Sequence, residues 1–295
     1  RAIEFIDMDR GDQPWMLNLN VYDPHPPFIP PVEYADKFKA EDMPGPHFQP
    51  SDIEAQARLE GVDFQTGSRP PEETNAKAEQ AKYYAMIALI DDELGRLIQH
   101  LEESGQIENT IIIFTSDHGE TLGDHGLFFK GCRFYEGLTR VPLIFHAPGR
   151  FQEGVQCHQL TELLDLSATL LDIAGSEIPD HHQGHSLLPV LQGVSSINEP
   201  IRDSARCEYF DALAPNFTQG NGTFATMYRD NRYKLVVYHS LDLGELFDLD
   251  ADPWEHQNLW DEPNAQAIKN ELILKSFNSH VNLTTDVGSK RIAPM

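Results

Sequence analysis

The sequence predicts an α/β fold: a central, mostly parallel sheet between helices over residues 1–200, then a small α+β subdomain with antiparallel strands over residues 201–295. Three observations point there. An amphipathic helix at 73–104 runs into a β-branched and aromatic stretch at 109–117 that does not alternate, the pattern of a strand buried on both faces. A second strand at 139–149 and a second helix at 160–175 continue the alternation. After about residue 200 the texture changes to short β-rich pieces punctuated by turn residues.

Each element has its own warrant. In residues 13–22, Trp15, Leu17, Leu19 and Val21 share one face and predict a buried strand. The prolines of 23–31 forbid helix and remove ladder donors, so a rigid loop follows that strand. Residues 41–72 carry several Pro and Gly with little periodicity and read as a long irregular excursion. Met86, Leu89, Ile90, Leu94, Leu97, Ile98 and Leu101 form the apolar stripe of the helix at 73–104, and Ser104-Gly105 ends it. Gly175 follows the helix at 160–175. Asp230-Asn231 marks a hairpin within 225–240, and residues 245–260 give a short strand and then a turn at Asp252-Pro253.

Composition excludes several classes. A chain of 295 residues with 40% hydrophobic and 23% charged residues has the means to build a core. The formal charge of −25, from 47 acidic against 22 basic residues, excludes the basic footprint of a nucleic-acid binder. It also means that an anionic ligand needs a local cationic site. No apolar run is long enough for a membrane span. Cys132, Cys157 and Cys207 form neither a disulfide scaffold nor a C-x-x-C pair. The start at Arg1 has no initiator Met and no signal-peptide pattern, so Arg1 is not expected to be the natural beginning.

The chemistry concentrates in residues 115–131. Asp117 and His118 directly follow the strand at 109–116, and ligands in open α/β sheets bind outside the carboxyl ends of strands. A carboxylate beside an imidazole can reach one divalent cation, with oxygen favouring calcium or magnesium and nitrogen admitting manganese or zinc. Gly119 lets the chain turn just after them. The short Asp-His-Gly string reads equally as a turn carboxylate and a surface histidine, since two ligands do not make a site. Lys130, beyond Leu127-Phe128-Phe129, offers a point charge for an anionic ester oxygen, or is a snorkelling surface lysine. His25, braced by prolines, can donate a proton or bond an anion, or is structural. His125 is a weaker candidate that can simply cap its loop, and Cys132 has no thiolate-activating partners and reads as buried.

The combination says more than its parts. Residues 116–131 with 134–149, the strand and loop at 17–31, residues 160–175 with 184–193, and the tail at 229–259 together resemble the sulfatase family of the alkaline-phosphatase-like superfamily over nearly the whole chain. The resemblance implies an alkaline-phosphatase-like α/β fold and a metal-dependent sulfuric ester hydrolase. It implies a divalent cation, usually calcium, with manganese or magnesium as alternatives, for which Asp117-His118 match one of two ligand pairs. It places Lys130 on the sulfate and His25 on the sulfate or the leaving oxygen. The family nucleophile is a formylglycine made from Cys or Ser in a motif such as Cys-x-Pro-x-Arg, and no cysteine here stands in that motif. The N-terminal aspartate pair is absent as well. Both belong to a segment expected before Arg1, which is therefore the expected partner of this chain, and the chain alone is expected to be inactive.

Three functions compete at this stage: a sulfate-ester hydrolase, a phosphoric or phosphonic ester hydrolase on the same scaffold, and a non-catalytic fragment that needs its N-terminal half. Residues 41–72 and 206–224 are expected to shape the substrate pocket as loops do. Sequons at Asn216, Asn221 and Asn282 carry weight only in a eukaryotic secretory setting, and a periplasmic or secreted location is favoured over a cytoplasmic one.

Overall fold

The computed structural model describes residues 1–65, 67–210 and 223–285, with side chains described to Asn282. Helices and sheets mix as the α/β class requires, and the ladders among the described residues are all antiparallel. Asn216 and Asn221 lie outside the described residues, as does most of the expected pocket loop at 206–224, whose start is a strand.

The excursion at 41–72 is less irregular than its composition suggests. A helix α1, Ser51–Ala57, buries Asp52 and Gln56 within it, so its inner face is polar and escapes a search for apolar periodicity. The long helix α2 spans Ala76–Glu103. Asn75 precedes it at φ 52°, a left-handed value that Asn tolerates better than most residues. At its far end Gly105 takes φ 69° and the Gln106 amide bonds to Leu101, closing the last turn as expected. Strand β1, Ile112–Thr115, pairs antiparallel with β2, Leu143–His146, in the register Ile112 to His146. Helix α3, Leu164–Ile173, follows.

The strand expected at 13–22 does not form. Leu19 and Val21 are 52% and 54% exposed, and no ladder reaches them among the described residues. The alternation is real, but a strand exists only through its partner's hydrogen bonds. Strand β1 is likewise half-buried along its length rather than buried on both faces.

The second sheet is a meander of β3 (Ala205–Phe210), β4 (Phe224–Arg229), β5 (Tyr233–Tyr238) and β6 (Leu243–Asp248). Its two faces follow the period of two. On one face Ala225, Met227, Val236 and Tyr238 pack against Leu59, Val62, Cys132 and Phe134. On the other, Tyr228, Leu235 and Leu246 pack against Leu272 of the C-terminal helix α4, Gln266–Thr285. The sheet thus presses its inner face on the chain that leaves residues 118–131. Lys234, fully buried on that face, donates to the Phe134 carbonyl at 2.8 Å and pairs with Glu136 at 2.8 Å and Glu255 at 2.7 Å.

Candidate active site

Residues 116–131 form a tightly wound loop fixed from several sides. The Gly119 amide donates to Leu138 at 2.8 Å and the Glu120 amide to Gly137 at 3.1 Å. A Cβ on Gly119 would run into the Gly137 carbonyl, so only glycine fits this approach. Leu122, His125 and Phe129 are all left-handed, at φ 48°, 53° and 69°. Non-glycine residues are held there only when their surroundings over-determine them, and such residues gather at functional sites. The surroundings here are explicit. Thr121 donates from its hydroxyl to Phe129 at 3.0 Å, Ser68 from its hydroxyl to the His125 carbonyl at 2.6 Å, and Gln65 from its side chain to the Phe128 and Lys130 carbonyls. Asp63 accepts from the Cys132 amide and pairs with the buried Arg133.

Asp117 and His118 stand just past the end of β1. The Asp117 carboxylate is well exposed and lies 3.7 Å from His118 Nε2. His118 Nδ1 is 2.8 Å from the Gly119 carbonyl and carries a proton, while Nε2 faces the carboxylate, pairing with it when protonated and free to ligate when neutral. In its neutral form this ring can bind a metal through Nε2. Partial burial raises the Asp117 pKa, but the neighbouring His118 and hydrogen bonds from the His118 amide and the Ser116 hydroxyl outweigh it and hold the carboxyl below its usual range. An oxygen and a nitrogen donor therefore stand 3.7 Å apart just past β1, a pair whose chemistry fits a divalent cation.

His25 and Lys130, 105 residues apart, meet: Lys130 Nζ lies 2.6 Å from His25 Nε2. His25 Nδ1 is 2.8 Å from the Pro26 carbonyl, which places its proton on Nδ1 and leaves Nε2 to accept from the lysine. The group presented as a donor is thus the ammonium, with the imidazole behind it. Tyr22 packs its ring on His25 at 5.0 Å.

Two further residues belong to this neighbourhood. Tyr83 on α2 lies edge-on to Phe28 of the proline loop, with ring centroids 5.6 Å apart. Burial, with the nearby charges of Glu120 and Asp117, pushes its pKa up to about 12, so it remains a proton donor. Glu120 is pushed above the usual carboxylate range by burial, against backbone donors at Leu122 and Phe129 and the Lys130 charge. Tyr83 lies three residues before Met86, on the apolar stripe, and its polar tip on an inward face was the available signal. Cys132 is fully buried and its thiol is pushed up by burial, which excludes a reactive thiolate.

Residues 1–176 match the sulfatase family, and residues 123–280 match the C-terminal region of N-sulphoglucosamine sulphohydrolase. The chain belongs to the sulfatase family. It is 31% identical over 261 residues to an arylsulfatase of Clostridium perfringens, an alignment covering 88% of this chain and 52% of that protein. It is 32% identical to the multifunctional alkaline phosphatase superfamily protein PehA of Trinickia caryophylli, covering 96% of this chain and 59% of the relative. Its fold superposes on the crystal structure of a phosphonate monoester hydrolase of Agrobacterium radiobacter with a TM-score of 0.82 at 27% identity, over 96% of this chain and 59% of that one. The fold is therefore the alkaline-phosphatase-like α/β fold. The chain spans about half the length of the curated relatives it matches.

Proposed function

We propose that this chain carries half of the active site of a metal-dependent sulfuric ester hydrolase, with Asp117 and His118 as metal ligands and Lys130 and His25 as the groups that receive the ester. The observation that carries the reading is the pairing of Lys130 with His25 across 105 residues, on the same loop that presents Asp117 and His118. The Clostridium arylsulfatase likeness supports sulfate as the ester, and the remaining ligands and the nucleophile are assigned to the part of the relatives' length that this chain does not span.

A bound divalent cation, proposed as calcium with manganese or magnesium as alternatives, would supply charge neutralisation at the ester oxygens and the nucleophile. Asp117 and His118 Nε2 would hold it, with the His118 ring fixed by the Gly119 carbonyl. Lys130 places its charge on the non-bridging oxygens, where it holds the anionic ester in position. The contact with His25 Nε2 orients the Lys130 ammonium, and a His25 that takes its Nε2 proton from solvent instead of accepting from Lys130 can protonate the departing oxygen. Tyr83, protonated across the working range, offers a neutral donor beside Asp117.

The phosphonate monoester hydrolase likeness supports a second reading, hydrolysis of phosphonic or phosphoric esters by the same groups. A division of the chain into a catalytic portion, 1–200, and a C-terminal subdomain, 201–295, goes with either reading, as does a periplasmic or secreted location. No helix among the described residues is long and apolar enough to cross a membrane. The test is metal content and turnover of the full-length protein on matched aryl sulfate and phenylphosphonate esters. The sulfatase reading expects the higher kcat/KM on sulfate, and Asp117→Ala should lose one equivalent of bound metal together with turnover. Unchanged metal content in Asp117→Ala sinks the site, and preference for the phosphonate selects the second reading.

A further inference from the structure

A second group of donors lies outside the pair at Asp117 and His118. Asp52 at the start of α1, His125 in the strained loop, and His256 after β6 bring one carboxylate oxygen and two ring nitrogens within 4.8 Å of one another. Asp52 and His125 are 1% and 3% exposed, and the His256 side chain is 9% exposed. We propose that these three residues bind a transition-metal ion of the zinc class, which staples the catalytic loop to α1 and to the segment that follows the C-terminal sheet.

The spacing suits one ion. Two donors on a tetrahedral ion with bonds of about 2.1 Å stand about 3.4 Å apart. Asp52 Oδ1 is 3.0 Å from His256 Nδ1 and 3.4 Å from His125 Nδ1. The second distance is long for an N–H···O hydrogen bond, so hydrogen bonding alone does not account for the inward turn of His125. Both histidines offer Nδ1 towards the Asp52 carboxylate, and His256 Nδ1 lies 3.0 Å from Oδ1 and 3.1 Å from Oδ2.

The donors are preorganised. The His125 ring stacks on Tyr135 with centroids 3.8 Å apart, its amide donates to His47 at 2.9 Å, and its backbone is left-handed. Asp52 Oδ2 accepts from the Gln49 amide at 2.7 Å, which aims Oδ1 at the histidines. A ligand held by its own outer partner in this way is characteristic of metal sites.

Two imidazoles and one carboxylate favour zinc or a neighbouring transition metal over calcium or magnesium, which take mainly oxygen. A cleft lined by Gln49, Ser51, Asp252 and Gln257 reaches His256 from the surface. Nothing in this set is shared with Asp117 or His118, so the two sites can be tested apart.

The test strips the full-length protein of metal, returns zinc, and counts bound zinc by elemental analysis beside a zinc-edge anomalous diffraction map. The expected result is one zinc equivalent retained in Asp117→Ala and an anomalous peak between Asp52, His125 and His256. In His256→Ala and Asp52→Asn the zinc affinity should fall by more than about 100-fold, since even outer-shell losses cost 10–100-fold. An unchanged zinc count in folded His256→Ala, or zinc-soaked wild-type crystals without a peak at the three donors, would overturn the proposal. The map on wild-type protein decides the matter even if both variants fail to fold.

Discussion

Lys130 and His25 act through one short contact, so their loss should not be additive. Lys130→Met is expected to lower kcat/KM of the full-length protein by about 10²–10³-fold, the range for removing one fixed charge from a developing anion. His25→Ala should cost about 10²–10⁴-fold, and the double variant little more than the worse single one. A product of the two losses in steady-state kinetics would show independent roles. Tyr83→Phe should reduce turnover while leaving the alkaline limb of the pH profile in place, because a phenol titrating at about 12 has no transition in the working range. At this scale the sequence was legible where a motif localised the chemistry: Asp117, His118 and Lys130 share one short stretch. It was not legible for Asp52, His256 or Tyr83, whose roles depend on neighbours up to 204 residues away. No spacing along the chain encodes such a meeting.

At the level of elements, the inner face of the C-terminal sheet grips the chain leaving the catalytic loop through Lys234. Its two carboxylate partners and one carbonyl leave the ammonium satisfied though fully buried. Lys234→Met removes the cation and strands Glu255 and Glu136, at an expected cost of about 3–5 kcal/mol. Chemical denaturation of the variant beside wild type checks this, and a loss below 1 kcal/mol would mean that the carboxylates find other partners. Leu246→Ala, on the opposite face against Leu272, should cost about 2–5 kcal/mol by opening a cavity. Helices α2 and α3 and the hairpin of β4 and β5 were readable because local periodicity and turn residues decide them. The extended segment at 13–22 carries the same kind of signal and forms no ladder, since pairing is decided by another strand. Helix α1 escaped for the converse reason: it buries Asp52 and Gln56, and a polar inner face leaves no hydrophobic period.

For the whole molecule, the acid side of the stability profile should reflect the same buried cluster. Burial raises the Glu136 pKa, but Lys234 and Arg229 outweigh it and hold the group below its ordinary 4.5. Its contribution is therefore complete above that value and disappears as pH falls through the lower folded-state value. Glu255 has the opposite sign: burial raises it, so the protonated form is favoured and its contribution is lost as pH rises. Glu136→Gln should lower stability at neutral pH and flatten the decline below about pH 4.5, measured by thermal unfolding across pH. A steeper acid decline in the variant would reverse the assignment.

Helix α2 adds a mechanical consequence. Tyr83 sits near one end of this 28-residue rod, and His100, 17 residues further along, bonds Asp7 at 2.7 Å through its Nε2. At 1.5 Å per residue these two points are about 25 Å apart. A stiff rod of that length is a lever: a tilt of about 5° at the Tyr83 end displaces the other end by about 2 Å. That is enough to part an imidazole from its carboxylate. The His100 ring resonance is then a remote gauge of motion beside Asp117, and it should respond to an anion bound at Lys130 although no ligand comes near it.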